Sequence, residues 1–199
     1  MTTETLFPVF LRLRGRKVVL VGGGTVAAGK LAALLATGAE VTVVAPRVRE
    51  EIARAPVTLR ERPFSASDLE DAWFVVAAAT PDVNRHVRET AEVLRVFVNA
   101  VDDPESASAY TGGVLRRGGV TVAVSTEGRA PALAGLLREA LDAVVPEEID
   151  EWARTAAALR VEQRRGGIPM ARRRPLLLDA LNRLYSDART PPPPVEVRP

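Results

Sequence analysis

Residues 17–48 read KVVLVGGGTVAAGKLAALLATGAEVTVVAPRV, and this stretch decides the fold. An apolar run meets three glycines, then a segment with helical spacing, then a second apolar run. Gly22, Gly24 and Ala27 occupy the three positions of the G-x-G-x-x-G/A pattern. In this pattern the first glycine permits a tight turn and the second lets a pyrophosphate approach the backbone. We therefore predict a β-turn-α-β unit whose helix N-terminus binds the phosphates of a dinucleotide.

The end of the second predicted strand lacks the acidic residue that is usual in NAD-selecting units. An Asp or Glu at that position accepts hydrogen bonds from the adenosine ribose. Here Val44 is followed by Ala45, Pro46 and Arg47. Arg47 is a candidate partner for the 2′-phosphate of NADP, and it is equally well explained as a solvated loop arginine. The residues alone leave the choice between NAD and NADP open.

Composition narrows the class of protein. A chain of 199 residues can bury one core and a small appended unit. Its 27 basic and 25 acidic residues give a net charge of +2, so we expect no nucleic-acid partner. Without cysteine the chain has no disulfide, thiolate nucleophile or thiolate metal site. We see no leader peptide and no apolar run of about 18 residues, and we expect a cytoplasmic protein with no membrane partner.

Strand and helix segments alternate along the first half of the chain. After the opening unit, apolar runs with the composition of buried parallel strands occur at residues 57–60, 73–79 and 96–99. A helix at residues 84–94 separates the last two runs. This alternation predicts an α/β fold with a Rossmann-type, doubly wound parallel sheet.

The pattern changes after Pro104. Two strand-like segments are separated by Arg117-Gly118-Gly119, which is typical of a β-hairpin. Helices are then predicted at residues 131–144, 147–164 and 172–188.

Ligands of doubly wound sheets bind beyond the carboxyl ends of the strands. Of the loops expected there, the one at residues 99–103 contains Asp102 and Asp103. A carboxylate at Asp102 is placed to accept a proton from a substrate or to attract a divalent metal ion. For Asp103 the sequence Asp-Pro favours a turn instead.

A second candidate loop joins a strand to a helix at residues 125–131, STEGRAP. Its hydroxyl and amide groups are suited to binding carboxylates, and they are equally suited to capping the helix. His86 is the only histidine and falls in a predicted helix, so we expect it at the surface and exclude a histidine-based triad or zinc site. The run Arg172–Arg174 is interpreted as a solvated helix face.

Taken together, five segments occur in a characteristic order: FPVFLRLRGRKVVLVGGGTVAAGK, GAEVTVVAP, VVAAATPD, VNAVDDP and VAVSTEGRAP. In this order they resemble the precorrin-2 dehydrogenase and sirohydrochlorin ferrochelatase family, which includes the N-terminal part of siroheme synthase. The pair VNAVDDP and VAVST is more specific than the glycine pattern. The resemblance covers residues 7 to about 145.

The resemblance implies a homodimer that binds a tetrapyrrole substrate. It implies four regions: a Rossmann NAD-binding domain at 1–113, a hairpin and helix dimerisation region at 114–145, a small helical C-terminal domain at 146–189 and a disordered, proline-rich tail at 190–199. The implied activity is the NAD-dependent oxidation of precorrin-2 to sirohydrochlorin in siroheme biosynthesis. In some family members insertion of Fe²⁺ into sirohydrochlorin follows.

The resemblance also assigns roles to residues. Asp102 matches the family's essential aspartate, a general base with a part in chelation, and so is the expected catalytic residue and the one candidate metal contact. The cofactor contacts that it implies are Thr25, Val26, Pro46 and Arg47; the glycine pattern and the loop after the fourth strand add Gly22, Gly23, Gly24 and Thr80. The substrate contacts that it implies are Ser125 and Thr126, and their own loop adds Gly128 and Arg129.

Some residues depart from the family pattern. Gly112 replaces a proline, and Ala130 replaces a serine of the substrate loop. Because the chain has a single histidine, metal insertion would depend on Asp102 alone. Dehydrogenase activity is therefore better supported than ferrochelatase activity. Two alternatives remain: a Rossmann module that senses a dinucleotide and regulates a partner, and a homologue that binds tetrapyrrole without turnover. The Asp102 carboxylate argues against the first, and Ala130 favours the second.

Overall fold

The computed structural model describes residues 5–101, 103 and 106–187, with side chains described up to residue 184. The chain divides into two compact units. The first comprises Met1–Gly112 and Ser125–Leu133, and the second comprises Gly113–Val124 and Ala134–Pro199. The four predicted regions with their functional roles stay a prediction, and the tail at 190–199 lies outside the described residues.

The first unit is built on a five-stranded parallel sheet. Its strands are β1 (Lys17–Val21), β2 (Glu40–Val44), β3 (Thr58–Arg60), β4 (Phe74–Ala77) and β5 (Phe97–Ala100). They lie in the order β3-β2-β1-β4-β5. The helices of this unit are α1 (Thr25–Leu35), α2 (Glu50–Ala53), α3 (Pro81–Leu94) and a 3₁₀ turn at Ala66–Leu69. The predicted doubly wound sheet is therefore confirmed.

Both faces of this sheet are buried, which explains why its strands are continuous apolar runs. In β1, Val18 and Leu20 pack on one face with Leu31 of α1. Val19 and Val21 point to the other face and pack with Val87 of α3. Because successive side chains of a strand alternate between faces, each central strand contributes to two apolar layers.

The second unit contains a β-hairpin and helical segments. The hairpin pairs β6 (Gly113–Arg117) with β7 (Val120–Val124), and the helices are α4 (Pro131–Val144), α5 (Ile149–Arg165) and α6 (Met170–Asp187). Arg117 fixes the hairpin to the end of α4, since its guanidinium donates to Asp142 Oδ1 at 2.6 Å and to the carbonyl of Val145 at 2.6 Å. The predicted hairpin and helices are present. Within the described part of the chain, no helix combines the length and apolarity that a membrane crossing requires.

One buried charge holds the region between β3 and β4 together. Asp68 is completely buried, and its carboxylate accepts hydrogen bonds from Arg60 at 2.5 Å, from Arg62 at 2.6 and 2.8 Å and from the amide of Ser65 at 2.9 Å. Burial alone would raise the pKa of Asp68, but the hydrogen bonds from Arg62, Ser65 and Arg60 outweigh it and lower the pKa from 3.8 to about 2.

We expect Asp68→Asn to reduce the free energy of unfolding at neutral pH by about 2 kcal/mol, because it removes a buried charged acceptor. A depressed carboxyl pKa stabilises the native state above the unfolded-state pKa and loses that effect as the pH falls through the native value. The difference between wild type and variant should therefore shrink as the pH falls from about 4 to about 2. Urea unfolding at several pH values measures this. Asp82→Asn is the control, since Asp82 is exposed and bonds only Arg85 at 3.3 Å; an equal loss in the control would contradict the assignment.

Candidate functional site

The carboxyl ends of all five parallel strands lie at one edge of the sheet. Main-chain hydrogen bonds fix their alignment just past the strands: Gly22 N donates to Val44 O at 3.0 Å, and Ala78 N donates to Val21 O at 2.8 Å. Strand β1 lies between β2 and β4, so the chain reverses its direction of winding beside β1. This is the position at which doubly wound sheets bind their ligands.

Two of the three glycines are required by the packing of the protein itself. Gly22 has a φ of +129°, and a Cβ there would overlap the carbonyl of Ala78 in the loop after β4. A Cβ at Gly23 would overlap the carbonyl of Arg47 in the loop after β2. The segment Gly22–Gly24, here called the glycine loop, therefore lies in close contact with the loops on both sides.

Gly24 is different because nothing lies within 4 Å of the position that its Cβ would take. Its φ of −86° and ψ of −171° are accessible to any residue. It is also the N-cap of α1, where no side chain caps the helix and no acidic residue occurs in the first turn. Uncapped amides at a helix N-terminus with open space in front of them form a ready anion site. The residues present thus fit a bound pyrophosphate.

The other predicted cofactor residues lie around this space. Thr25 and Val26 begin α1 and are exposed, with 48% of the apolar Val26 side chain open to solvent. Pro46 and Arg47 are exposed in the loop after β2. Thr80 is the N-cap of α3 and makes no side-chain cap bond. The structure brings all these residues to the carboxyl edge of one sheet, while their contacts with a cofactor stay a prediction.

Sequence reasoning missed Arg49, two residues beyond Arg47. Its amide donates to Gly23 O at 2.9 Å, and its guanidinium reaches Thr25 Oγ1 at 3.4 Å. Its Nε also bonds Glu51 at 3.0 Å, and this hydrogen bond and the charge of Arg49 lower the pKa of Glu51. Arg49 therefore places a carboxylate-paired cation beside the start of α1. The only feature of the sequence that could have indicated this role is that Arg49 is a second basic residue in the loop after β2.

Asn84 was also not assigned a role. It is buried in the first turn of α3, and its Oδ1 accepts a hydrogen bond from the amide of Ala79 at 3.0 Å. This bond fixes the loop after β4, which contains Thr80. A polar residue on the buried face of a predicted helix was the signal that could have indicated it.

Asp102 lies outside the described residues, but the segments on either side of its loop are well anchored. Val101 N donates to Ala77 O at 2.9 Å, which keeps the start of the loop at the carboxyl edge of the sheet. Asn99 is buried and donates to Ala109 O at 2.9 Å. Asp103 accepts from the amide of Ser106 through its main-chain carbonyl at 3.2 Å and its carboxylate at 3.3 Å, a turn-forming role. Val101, which directly precedes Asp102, is thus held at the carboxyl end of β4.

The segment at residues 125–130 groups with the first unit. Ser125 Oγ accepts a hydrogen bond from Glu127 N at 3.1 Å, and Thr126 Oγ1 accepts from Ala130 N at 3.2 Å. The Arg129 guanidinium pairs with Glu127. The hydroxyls therefore shape the approach to α4, and each hydroxyl hydrogen remains a donor for a ligand. Substrate binding by Ser125, Thr126, Gly128 and Arg129 stays a prediction.

Among the described residues, no group of three or more His, Cys, Asp or Glu side chains could hold a metal ion. His86 is exposed on α3, as expected, and its ring stands edge-on to Phe64 with a centroid distance of 5.3 Å.

A family model described as putative NAD(P)-binding matches residues 9–113, which is more than half of the chain. A second model, described as the central part of a sirohaem biosynthesis protein, matches residues 117–143.

Among curated proteins, the siroheme synthase of Salmonella arizonae is 40% identical over 172 residues, which is 84% of this chain and 38% of that protein. Siroheme synthase 2 of Cronobacter sakazakii is 39% identical with the same coverage. The chain therefore spans 38% of the length of these relatives. Among solved structures, the precorrin-2 dehydrogenase SirC matches with a TM-score of 0.66 and 26% identity, covering 87% of this chain and 88% of that one.

Proposed function

Because the chain belongs to the family of putative NAD(P)-binding proteins, we propose that it oxidises precorrin-2 to sirohydrochlorin in siroheme biosynthesis, with NAD as the hydride acceptor. The observation that carries the proposal is the open anion site at Gly24, which the packing of the protein does not need. Three similarities support the choice of substrate. They are the order of the two matched family segments, the siroheme synthase relatives and the likeness to SirC over 87% of the chain.

The residues at the sheet edge have distinct tasks in this reaction. The amides at the start of α1 hold the pyrophosphate, and Gly24 leaves room for it. When NAD is bound, its nicotinamide ring supplies the hydride acceptor. Oxidation also releases a proton, and we assign its removal to the carboxylate of Asp102. The hydroxyls of Ser125 and Thr126, already fixed by backbone donors, orient the substrate through its carboxylates.

The charges beyond β2 favour NAD over NADP. Arg49 reaches Thr25 at the start of α1, and it is already paired with Glu51 at 3.0 Å. Glu50 and Glu51 form the first turn of α2, immediately after this loop. A 2′-phosphate brought to this position would compete with a carboxylate for the guanidinium, whereas uncharged ribose hydroxyls would not.

The direct test is anaerobic incubation of the protein with precorrin-2 and either NAD or NADP. We expect absorbance at about 340 nm from reduced nicotinamide, together with the sirohydrochlorin spectrum, and a higher kcat/KM with NAD. Oxidation with neither dinucleotide, in protein shown to be folded, would refute the dehydrogenase proposal and leave the non-catalytic alternatives. A higher kcat/KM with NADP would refute only the cofactor choice.

Three further parts of the proposal concern the metal substrate, the oligomeric state and the location. Insertion of Fe²⁺ into sirohydrochlorin rests on Asp102 alone and is tested by the spectral change on adding the ion to product under the same conditions. Homodimerisation is supported by exposed apolar side chains on α4, where Leu136 and Val144 are 64% and 72% exposed; light scattering measures it directly. A cytoplasmic location is proposed as a consequence of the proposed use of NAD.

A further inference from the structure

A cavity of about 470 Å³ lies between α5 and α6, entirely within the second unit. Its apolar lining includes Leu159 of α5 and Leu177 of α6, both half-buried. Four arginines also line it, namely Arg160, Arg164, Arg173 and Arg174. No acidic residue is among the lining residues. The cavity thus combines an apolar surface with four cationic groups.

The arginines at the cavity differ from others on the same helices. Arg154 of α5 pairs with Asp150, and Arg183 of α6 pairs with Asp179, each with the spacing i,i+4. By contrast, the described residues offer no ion-pair partner to Arg160, Arg164 or Arg174. The guanidinium of Arg173 donates from Nε to the carbonyl of Ile168 at 2.9 Å, which is a neutral acceptor. Within the described part of the second unit, no carboxylate therefore pairs with the arginines of this cavity.

The sequence around the cavity also conflicts with two preferences of isolated helices. A helix N-terminus favours acidic residues, yet the first turns of α6 contain Arg172–Arg174 and no acid. Like charges at i and i+4 are unfavourable, yet Arg160 and Arg164 have this spacing on α5. Both conflicts occur at one cavity, and a bound anion would remove both. Local conflicts of this kind are expected at functional sites.

We propose that this cavity binds one carboxylate-bearing edge of a tetrapyrrole, with the macrocycle against Leu159 and Leu177 and its carboxylates on the arginines. The inference rests on the proposed function for the identity of the ligand, because precorrin-2 and sirohydrochlorin carry eight carboxylates around an apolar ring. A cavity of about 470 Å³ accommodates part of such a molecule. A nucleotide or inorganic phosphate would use the arginines but leave the leucines without a role.

The test uses the full chain and uroporphyrin, a stable, flat macrocycle with eight carboxylates, as the probe. Trp152 lies on α5 one turn before the cavity residue Ala156, and quenching of its fluorescence reports binding near α5. Trp73→Phe removes the other tryptophan, which lies in the first unit. In this background we compare Arg164→Gln/Arg174→Gln with the control Arg154→Gln/Arg183→Gln, which removes two charges from the same helices outside the cavity.

We expect the Kd for uroporphyrin to rise at least tenfold in the cavity variant and less than twofold in the control. Leu177→Ser should also weaken binding. Absence of binding to the parent protein, or equal loss in the cavity variant and the control, would overturn the proposal. The proposed function is measured separately as NADH formation by the wild type. If the wild type oxidises precorrin-2 but porphyrin binding does not depend on the cavity residues, only the cavity proposal fails. If porphyrin binding depends on the cavity residues but no oxidation occurs, only the dehydrogenase proposal fails.

Discussion

Replacing Gly24 with valine is expected to lower the affinity for NAD about a hundredfold, equivalent to about 2.7 kcal/mol. A Cβ at this position meets no neighbouring atom within 4 Å, and the side chain beyond it would occupy the space in front of α1 where the pyrophosphate is proposed to bind. The backbone angles of Gly24 are accessible to valine. The free energy of unfolding should therefore change by no more than about 1 kcal/mol, the usual cost of a poorer N-cap. Isothermal titration with NAD and urea unfolding measure the two quantities.

Two other glycines serve as controls for this result. Gly29 lies in α1 and also has open space around its Cβ position, so Gly29→Val should leave NAD affinity unchanged. Gly22→Ala should instead destabilise the fold, because its Cβ would overlap the carbonyl of Ala78 at a φ of +129°. If Gly24→Val bound NAD with wild-type affinity, the pyrophosphate site would have to be placed elsewhere. The three variants together separate a glycine needed by a ligand from one needed by the fold.

The sheet was predictable because buried parallel strands have a simple pattern, whereas the strand boundaries depend on contacts that sequence does not show. The apolar run at 73–79 predicts a longer strand than the observed Phe74–Ala77. Trp73 stays half exposed, with the guanidinium carbon of Arg16 over its ring at 3.9 Å. At the other end, the amide of Ala79 bonds the side chain of Asn84 rather than a neighbouring strand. Each end of the run thus contacts a side chain outside it, Arg16 at the start and Asn84 at the end.

The placement of the candidate residues at the carboxyl edge of the sheet was predictable, but the contacts among them were not. The glycine pattern indicates a phosphate site, and it gives no sign that Gly22 and Gly23 are required by neighbouring carbonyls while Gly24 is not. Arg49 reaches Thr25 because the start of α2 is bonded to the glycine loop. Periodicity carries no information about such a contact between two loops. Likewise, the packing of α5 against α6, and not the helical pattern, determines which arginines line the cavity between them.

Loss of the Asp102 carboxylate is expected to have the largest effect on turnover. If this group removes the proton released on oxidation, Asp102→Ala should lower kcat for sirohydrochlorin formation about 10²- to 10⁴-fold, the usual contribution of a general base. The affinity for NAD should stay unchanged, because the pyrophosphate site is at the glycine loop. Asp102→Asn should be as inactive as the alanine variant, since an amide keeps the shape of the side chain without its basicity.

Asp103→Asn is the matched control because it changes the neighbouring acid in the same loop. Asp103 accepts a hydrogen bond from the amide of Ser106, and the amide oxygen of an asparagine can accept the same bond. The turn should therefore persist. Turnover should remain within about twofold of wild type, which is well below the roughly tenfold change that corresponds to one pKa unit. Comparable losses in both variants would mean that the loop needs its overall negative charge or its fold, and the general-base assignment to Asp102 would fail. Full activity in Asp102→Asn would likewise exclude a carboxylate base at this position, and it would make the hydroxyls of Ser125 and Thr126 the next groups to test as proton acceptors.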